Sequence, residues 1–416
     1  MSRIPGPLIE RRIRPNRLPD TEWLNAYTAA GSPAGEPLML SLGETWSGTP
    51  PELLAALRRA PDTLHGYQLS MYGYPRLRRV LREYVDATQG PLPPAGWEVA
   101  VGWTGTRSAM FDFCDRVRAG WAGRGPDALV VAPSWDYAGM LEPLGFRMRY
   151  VTAGPATGLV PDPDLVRAAA AAPGLGLVVI NAQHNPTGAN WDSELIGALV
   201  DAALDQGAAV LVDDAYFGLC PEPTSALAIL LERLGNRMDQ IPWLGVRSLG
   251  KQFRCNGWGL GAVVAEPGFL ELFVNEIRTR HTYNYSANLQ HAMADWLEDG
   301  NAVRAYLRSE QERIGSHRRA VARRLSGSLP AGRLIAGPAA PYLLFPVPRT
   351  GAAASTRGFL CRCATEAGVL LADAWPMARP GITGDNGYVR MYLGAPLAAL
   401  NEACDRLENA ELLSVA

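Results

Sequence analysis

Apolar residues in the middle of this chain come in short runs, set between longer stretches where they recur every three or four positions. The runs at 99–103, 128–132, 176–181, 208–213, 244–249 and 261–265 are rich in valine, leucine and isoleucine and nearly unbroken. A strand with one wet face would alternate, whereas a near-continuous run suits a strand covered on both faces. Helical spacing fills the intervals at 108–119, 162–172, 192–206 and 225–234. This alternation predicts an α/β fold with a mostly parallel central sheet. The texture changes after residue 300. A long amphipathic, arginine-rich helix is predicted over 302–326, followed by apolar segments at 334–335, 342–347, 369–371 and 388–393 and a closing helix at 397–407. That region reads as a smaller α+β domain. The expected organisation is an N-terminal arm joining the small domain (1–45), a large α/β domain (46–300) and a small C-terminal domain (301–416). The Pro/Gly-rich segment 31–51 marks a boundary.

Composition narrows the class. A chain of 416 residues can bury a large core. With 48% hydrophobic and 19% charged residues it reads as a globular enzyme rather than a disordered chain. A formal net charge of −2 argues against nucleic acid or an anionic membrane as partner. The first residues carry arginines but no apolar core of a secretory signal, and no apolar run is long enough to span a bilayer. The six cysteines, at 114, 220, 255, 361, 363 and 404, form no CxxC pair and are too sparse for a disulfide framework. Cys361 and Cys363 are expected as free thiols rather than metal ligands. A reducing cytoplasm is the expected location.

One residue stands out by its scarcity. Lys251 is the chain's single lysine, and the other 38 of its 39 basic residues are arginine. A guanidinium replaces an ammonium well for surface charge. It cannot lose a proton and attack a carbonyl, as an amine can. Lys251 is therefore a candidate covalent amine.

Its neighbours carry the identification further. His184-Asn185-Pro186-Thr187-Gly188, Asp213-Asp214-Ala215-Tyr216, Ser248-Leu249-Gly250-Lys251 and Gly257-Trp258-Gly259-Leu260-Gly261 each follow a predicted strand. Loops at strand ends are where open α/β sheets bind ligands. In this order and spacing the motifs resemble the class I/II aminotransferases, fold-type I enzymes that use pyridoxal 5′-phosphate (PLP). The resemblance runs from about Leu42 to Arg390. It implies a homodimer with a shared active site acting on an α-amino acid. It also implies roles for individual residues. Lys251 holds the PLP aldehyde as a Schiff base and later moves protons at the substrate Cα. Asp213 pairs with the pyridine nitrogen. Asn185 and Tyr216 hydrogen-bond the ring's phenolic oxygen. Trp135 stacks on the ring. Thr104, Gly105, Thr106 and Ser248 hold the phosphate, and Tyr67 reaches the partner subunit's phosphate. Arg390, with Asn185, holds the substrate carboxylate, a task suited to a guanidinium fork.

The resemblance has one gap. The family usually carries an arginine eight residues after the lysine to neutralise the phosphate, and here that residue is Gly259. Gly250 also stands where serine is common. Arg254 or Arg107 is expected to substitute. Transamination is the expected reaction. The alternative is β/γ-elimination, replacement or cyclisation, with S-adenosylmethionine a candidate substrate, and the aromatics Trp46, Tyr72, Tyr74, Trp103 and Tyr137 would then line an entrance. A remoter alternative comes from Gly245 to Lys251, which match GxxxxGK of a P-loop NTPase. Gln252 replaces the Ser or Thr that Mg²⁺ needs there.

Overall fold

Seven apolar segments line up as the central sheet of the large lobe: β1 Glu98–Gly102, β2 Asp127–Ala132, β3 Arg147–Thr152, β4 Leu175–Ile180, β5 Ala209–Asp213, β6 Trp243–Ser248 and β7 Gly261–Ala265. The computed structural model describes residues 19–43, 48–123, 125–329, 334–347, 355–374 and 387–413. The strand order is β1-β7-β6-β5-β4-β2-β3. All pairings are parallel except those of β7, which runs antiparallel to β1 and β6. The mostly parallel α/β sheet is as expected, and the six anticipated strands form with ends within one residue of the apolar runs. β3 was not anticipated. It pairs only with β2, and its first and last residues are exposed. A lone edge strand needs no continuous apolar run, so Arg147-Met148-Arg149-Tyr150 reads as polar.

Helices cover both faces. Thr106–Ala119, Pro163–Ala170, Ser193–Gln206 and Ala226–Leu234 lie within two residues of their predicted spans. Pro75–Gln89 went unpredicted because its arginines hide a buried stripe of Leu77, Val80, Leu81, Tyr84 and Val85. Gly250 and Gly259, discussed below, are the glycines that shape the site.

A second core lies in the C-terminal region. Strands β8 Tyr342–Pro346 and β9 Tyr388–Tyr392 pair antiparallel, with Arg390 opposite Leu344. Trp23, Leu24, Leu38 and Leu40 from the N-terminal segment join this core. Leu38–Met39 pairs parallel with Val369–Leu370. Helix Gly300–Ser328 links the two cores: Val303 and Leu307 pack into the first, Val321 and Leu325 into the second. Residues 1–18 of the predicted arm, and Trp46, lie outside the described residues.

Candidate active site

Strands β4, β5 and β6 are parallel, so their carboxyl ends open on one edge of the sheet. Lys251 sits there, in a one-turn helix, Leu249–Gln252, that follows β6. The Ser248 hydroxyl caps that turn by accepting the Lys251 N–H at 3.3 Å. Gly250 is required by a close approach: a Cβ there would lie 2.9 Å from the Asn256 Cα. This accounts for the absence of serine at 250. The Lys251 ammonium donates to the Gly43 carbonyl at 3.0 Å. Gly43 is tightly confined too, since a Cβ would lie 2.5 Å from the Tyr342 hydroxyl and 3.4 Å from Lys251 Nζ.

The end of β5 places Asp213 beside this amine. Asp213 is buried, and its Oδ2 accepts from the Tyr137 hydroxyl at 2.7 Å while Oδ1 accepts from Ala215 N–H at 3.2 Å. Burial pushes its carboxyl above the usual range, opposed by the Tyr137 and Ala215 hydrogen bonds and by the Lys251 charge. Desolvation of this kind makes a carboxylate seek a cationic partner. Asp214 turns instead to Gln89, whose Nε2 donates to it at 2.7 Å. Burial lifts Asp214 to about 6.

The loop after β4 supplies Asn185, and β9 supplies Arg390. Arg390 is 2% exposed. Its Nη1 donates to Asn185 Oδ1 and its Nη2 to the Ser41 carbonyl, each at 2.6 Å. Its Nε, also buried, has no hydrogen-bond partner. No carboxylate pairs with this guanidinium among the described residues. Because the guanidinium takes the Asn185 oxygen, the amide NH₂ is left to donate elsewhere. The ring of Tyr342, from β8, lies under Arg390, with the guanidinium carbon 4.2 Å from its centroid. The Tyr342 and Tyr216 hydroxyls are 2.6 Å apart. Burial, then Tyr342, pushes the Tyr216 phenol well above its usual range, so it stays protonated.

The other end of the site is built differently. Helix Thr106–Ala119 begins at Gly105 without a side-chain cap, which leaves first-turn N–H groups facing out. Thr104 Oγ1 and Ser108 Oγ are 2.6 Å apart across that turn. Gly259 has φ +64°, its carbonyl accepts the Gly105 N–H at 2.7 Å, and a Cβ there would lie 3.2 Å from the Trp103 carbonyl. The glycine thus shapes the turn in which the family arginine usually sits. Arg107 is held by Asp136 at 3.0 Å and lies 4.9 Å over the Trp135 ring. Arg254 bonds Glu310 at 3.3 Å and the Gly394 carbonyl at 3.2 Å.

These residues form a donor set that fits PLP. A buried carboxylate suits a protonated ring nitrogen, the Tyr216 hydroxyl and Asn185 amide suit a phenolic oxygen, and uncapped N–H groups suit a phosphate. The unpaired Arg390 suits a second, substrate anion.

Sequence reasoning brought Lys251, Asp213, Asn185, Tyr216 and Arg390 to one place. Tyr67, expected at the partner subunit's phosphate, lies on the surface of this chain at 70% exposure, its ring 5.5 Å from that of Tyr283. Trp103 and Tyr137 are buried and Tyr72 and Tyr74 half-buried. Gly245 to Ser248 lie in β6, so no P-loop exists there. Tyr342 and Gly43 were missed as site residues, and Tyr137 was expected only as an entrance aromatic, not as the partner of Asp213. Tyr137, two residues after Trp135, and Gly43, alone between leucine-rich and polar residues, carried the available signal. Tyr342 opens an apolar run and looks like core.

Comparison with known proteins agrees with this geometry. Residues 37–407 match the family model described as aminotransferase class I and II. An aspartate/prephenate aminotransferase of Thermus thermophilus is 25% identical over 307 residues, covering 73% of this chain and 76% of its own. An aspartate aminotransferase of Pyrococcus horikoshii is 24% identical over 379 residues, 90% of each chain. A solved double mutant of Thermus thermophilus aspartate aminotransferase superposes with a TM-score of 0.78 at 22% identity, covering 96% of this chain and 97% of the other. An aromatic aminotransferase from Pyrococcus horikoshii superposes with a TM-score of 0.76 at 21% identity, covering 93% and 100%.

Proposed function

The chain belongs to the class I and II aminotransferases, PLP-dependent enzymes that act on amino acids, and from that premise we propose the following division of labour among its residues. When bound, PLP supplies an aldehyde that captures a primary amine and a ring that draws electrons from the substrate. Lys251 holds the aldehyde. Its Nζ, when free, would take the proton from the substrate Cα as general base and hand it on as general acid. Such a positioned base contributes about 10²–10⁴-fold. Asp213 keeps the ring nitrogen protonated, held in place by Tyr137. Tyr216 and the Asn185 amide donate to the phenolic oxygen. Arg390 grips the α-carboxylate.

The phosphate goes to Thr104, Gly105, Thr106 and Ser248, with Arg107 better placed than Arg254 to add charge, because it lies on the first turn of the same helix. Trp135 stacks on the ring. Domain limits of 46–300 for the cofactor domain, with 1–45 and 301–416 forming the small one, are supported by the two separate cores. We assign a homodimer. Tyr67, Leu69, Tyr283 and Tyr285 form an exposed apolar cluster of the kind that marks protein interfaces. Tyr67 on this face would reach the partner's phosphate. No helix among the described residues is long and apolar enough to cross a membrane. Six free cysteines fit a reducing cytoplasm.

The observation that carries the reading is the buried guanidinium of Arg390, without a carboxylate among the described residues, on the same site as the chain's single lysine. The test mixes the holoenzyme with a panel of amino acids and S-adenosylmethionine, without a keto acid. Conversion of the cofactor to its pyridoxamine form is expected. Release of a leaving group with the aldehyde form retained would instead mean elimination or replacement.

A further inference from the structure

Tyr342 lies at the junction of the three parts of the site, and no role assigned above uses its hydroxyl. Its ring lies beneath Arg390, which holds the carboxylate. Its hydroxyl meets that of Tyr216, which serves the cofactor ring. That hydroxyl also lies against Gly43, whose carbonyl takes the Lys251 ammonium. Tyr342 is 2% exposed at the start of β8, and a phenylalanine would keep the same packing without a hydroxyl. The polar tip therefore needs a reason.

The hydrogen-bond count supplies one. Between two phenols, one donates and the other accepts. If Tyr216 gave its proton to Tyr342, it would have none for a third oxygen. Among the described residues, the Tyr342 hydroxyl has no hydrogen-bond partner other than Tyr216. The arrangement that satisfies both protons has Tyr342 donating to Tyr216 and Tyr216 donating onward. A donor chain of this kind strengthens its last bond.

We propose that Tyr342 is a positioning residue that sets the direction of the Tyr216 proton towards the cofactor's phenolic oxygen while its ring seats Arg390 for the substrate carboxylate. This rests on the assignments of Tyr216 and Arg390 made above. Tyr342 itself touches neither reacting atom.

The two functions separate by substitution. Tyr342→Phe keeps the ring under Arg390 and removes the hydroxyl. Tyr342→Leu removes both. The readouts are the pH titration of holoenzyme absorbance, without substrate, and the KM for the amino acid. A donor on the phenolic oxygen stabilises its negative charge most in the basic form, so weakening it raises the titration midpoint. Tyr342→Phe is expected to raise it by about half a pH unit, part of one hydrogen bond, with KM within about twofold of wild type. Tyr342→Leu is expected to raise the midpoint similarly and the KM about tenfold. Tyr216→Phe, run alongside, is expected to shift the midpoint further than either. A Tyr342→Phe midpoint equal to wild type, with Tyr216→Phe shifted, overturns the proposal and leaves the site assignment standing. A Tyr216→Phe midpoint equal to wild type overturns the assignment of Tyr216 itself. A Tyr342→Leu KM equal to wild type overturns the seating of Arg390.

Discussion

In the proposed assignment, the two ends of the site handle negative charge by opposite means. At the carboxylate end, one guanidinium, Arg390, is buried, bonded only to neutral oxygens and left without a carboxylate among the described residues. At the phosphate end, the two arginines expected to replace the missing family residue are already matched by acids, Arg107 by Asp136 and Arg254 by Glu310. What remains there are helix N–H groups, hydroxyls and a glycine turn. A buried guanidinium without an anion is costly, and at this position a transient substrate anion would offset that cost. Backbone dipoles need no counter-charge and suit an anion that stays. The substrate end thus concentrates its affinity in one side chain, while the cofactor end spreads it over many groups.

Five substitutions sharpen or break this contrast. The largest effect is expected from Asp213→Asn. It removes the charge that faces the ring nitrogen and should lower kcat about 10²–10³-fold, as stopped-flow turnover would show, with folding intact by circular dichroism. Arg390→Lys comes next. A lysine cannot reproduce the fork that holds Asn185 and the carboxylate together, so KM should rise about 10–10²-fold. Equal KM in wild type and variant would mean the substrate anion binds elsewhere. Gly259→Arg restores the family's usual residue at a position with φ +64°. The left-handed backbone should cost about 1–2 kcal/mol in denaturant titration. A variant of unchanged stability that binds PLP tenfold tighter would show that this end wanted a guanidinium after all. The smallest effects belong to Thr104→Ala and Ser248→Ala. Each should weaken PLP binding by about 1 kcal/mol, because each is one contributor among several. A single hydroxyl worth far more would break the contrast.

The same division explains what could be read in advance. Lys251, Asp213, Asn185 and Arg390 announce themselves because their chemistry has few substitutes, and the first three lie at or just beyond the ends of apolar runs. The central sheet was equally plain, since strands buried on both faces leave continuous runs. β3 was not, because an edge strand carries exposed arginines. Helix Pro75–Gln89 hid its buried stripe among charges in the same way. Tyr342 was invisible for another reason: its ring is core, and only its hydroxyl does anything unusual. Gly43 and Gly250 are defined by what approaches them through space, which no local pattern records.

The account depends on Lys251 Nζ as the amine that holds the cofactor aldehyde. Reducing the holoenzyme with borohydride and mapping the label by peptide mass spectrometry tests it directly. The predicted result is a pyridoxyl group on the peptide containing Lys251, and none in Lys251→Ala, which should also lose turnover. Label found elsewhere, or an alanine variant that still turns over, would contradict the account.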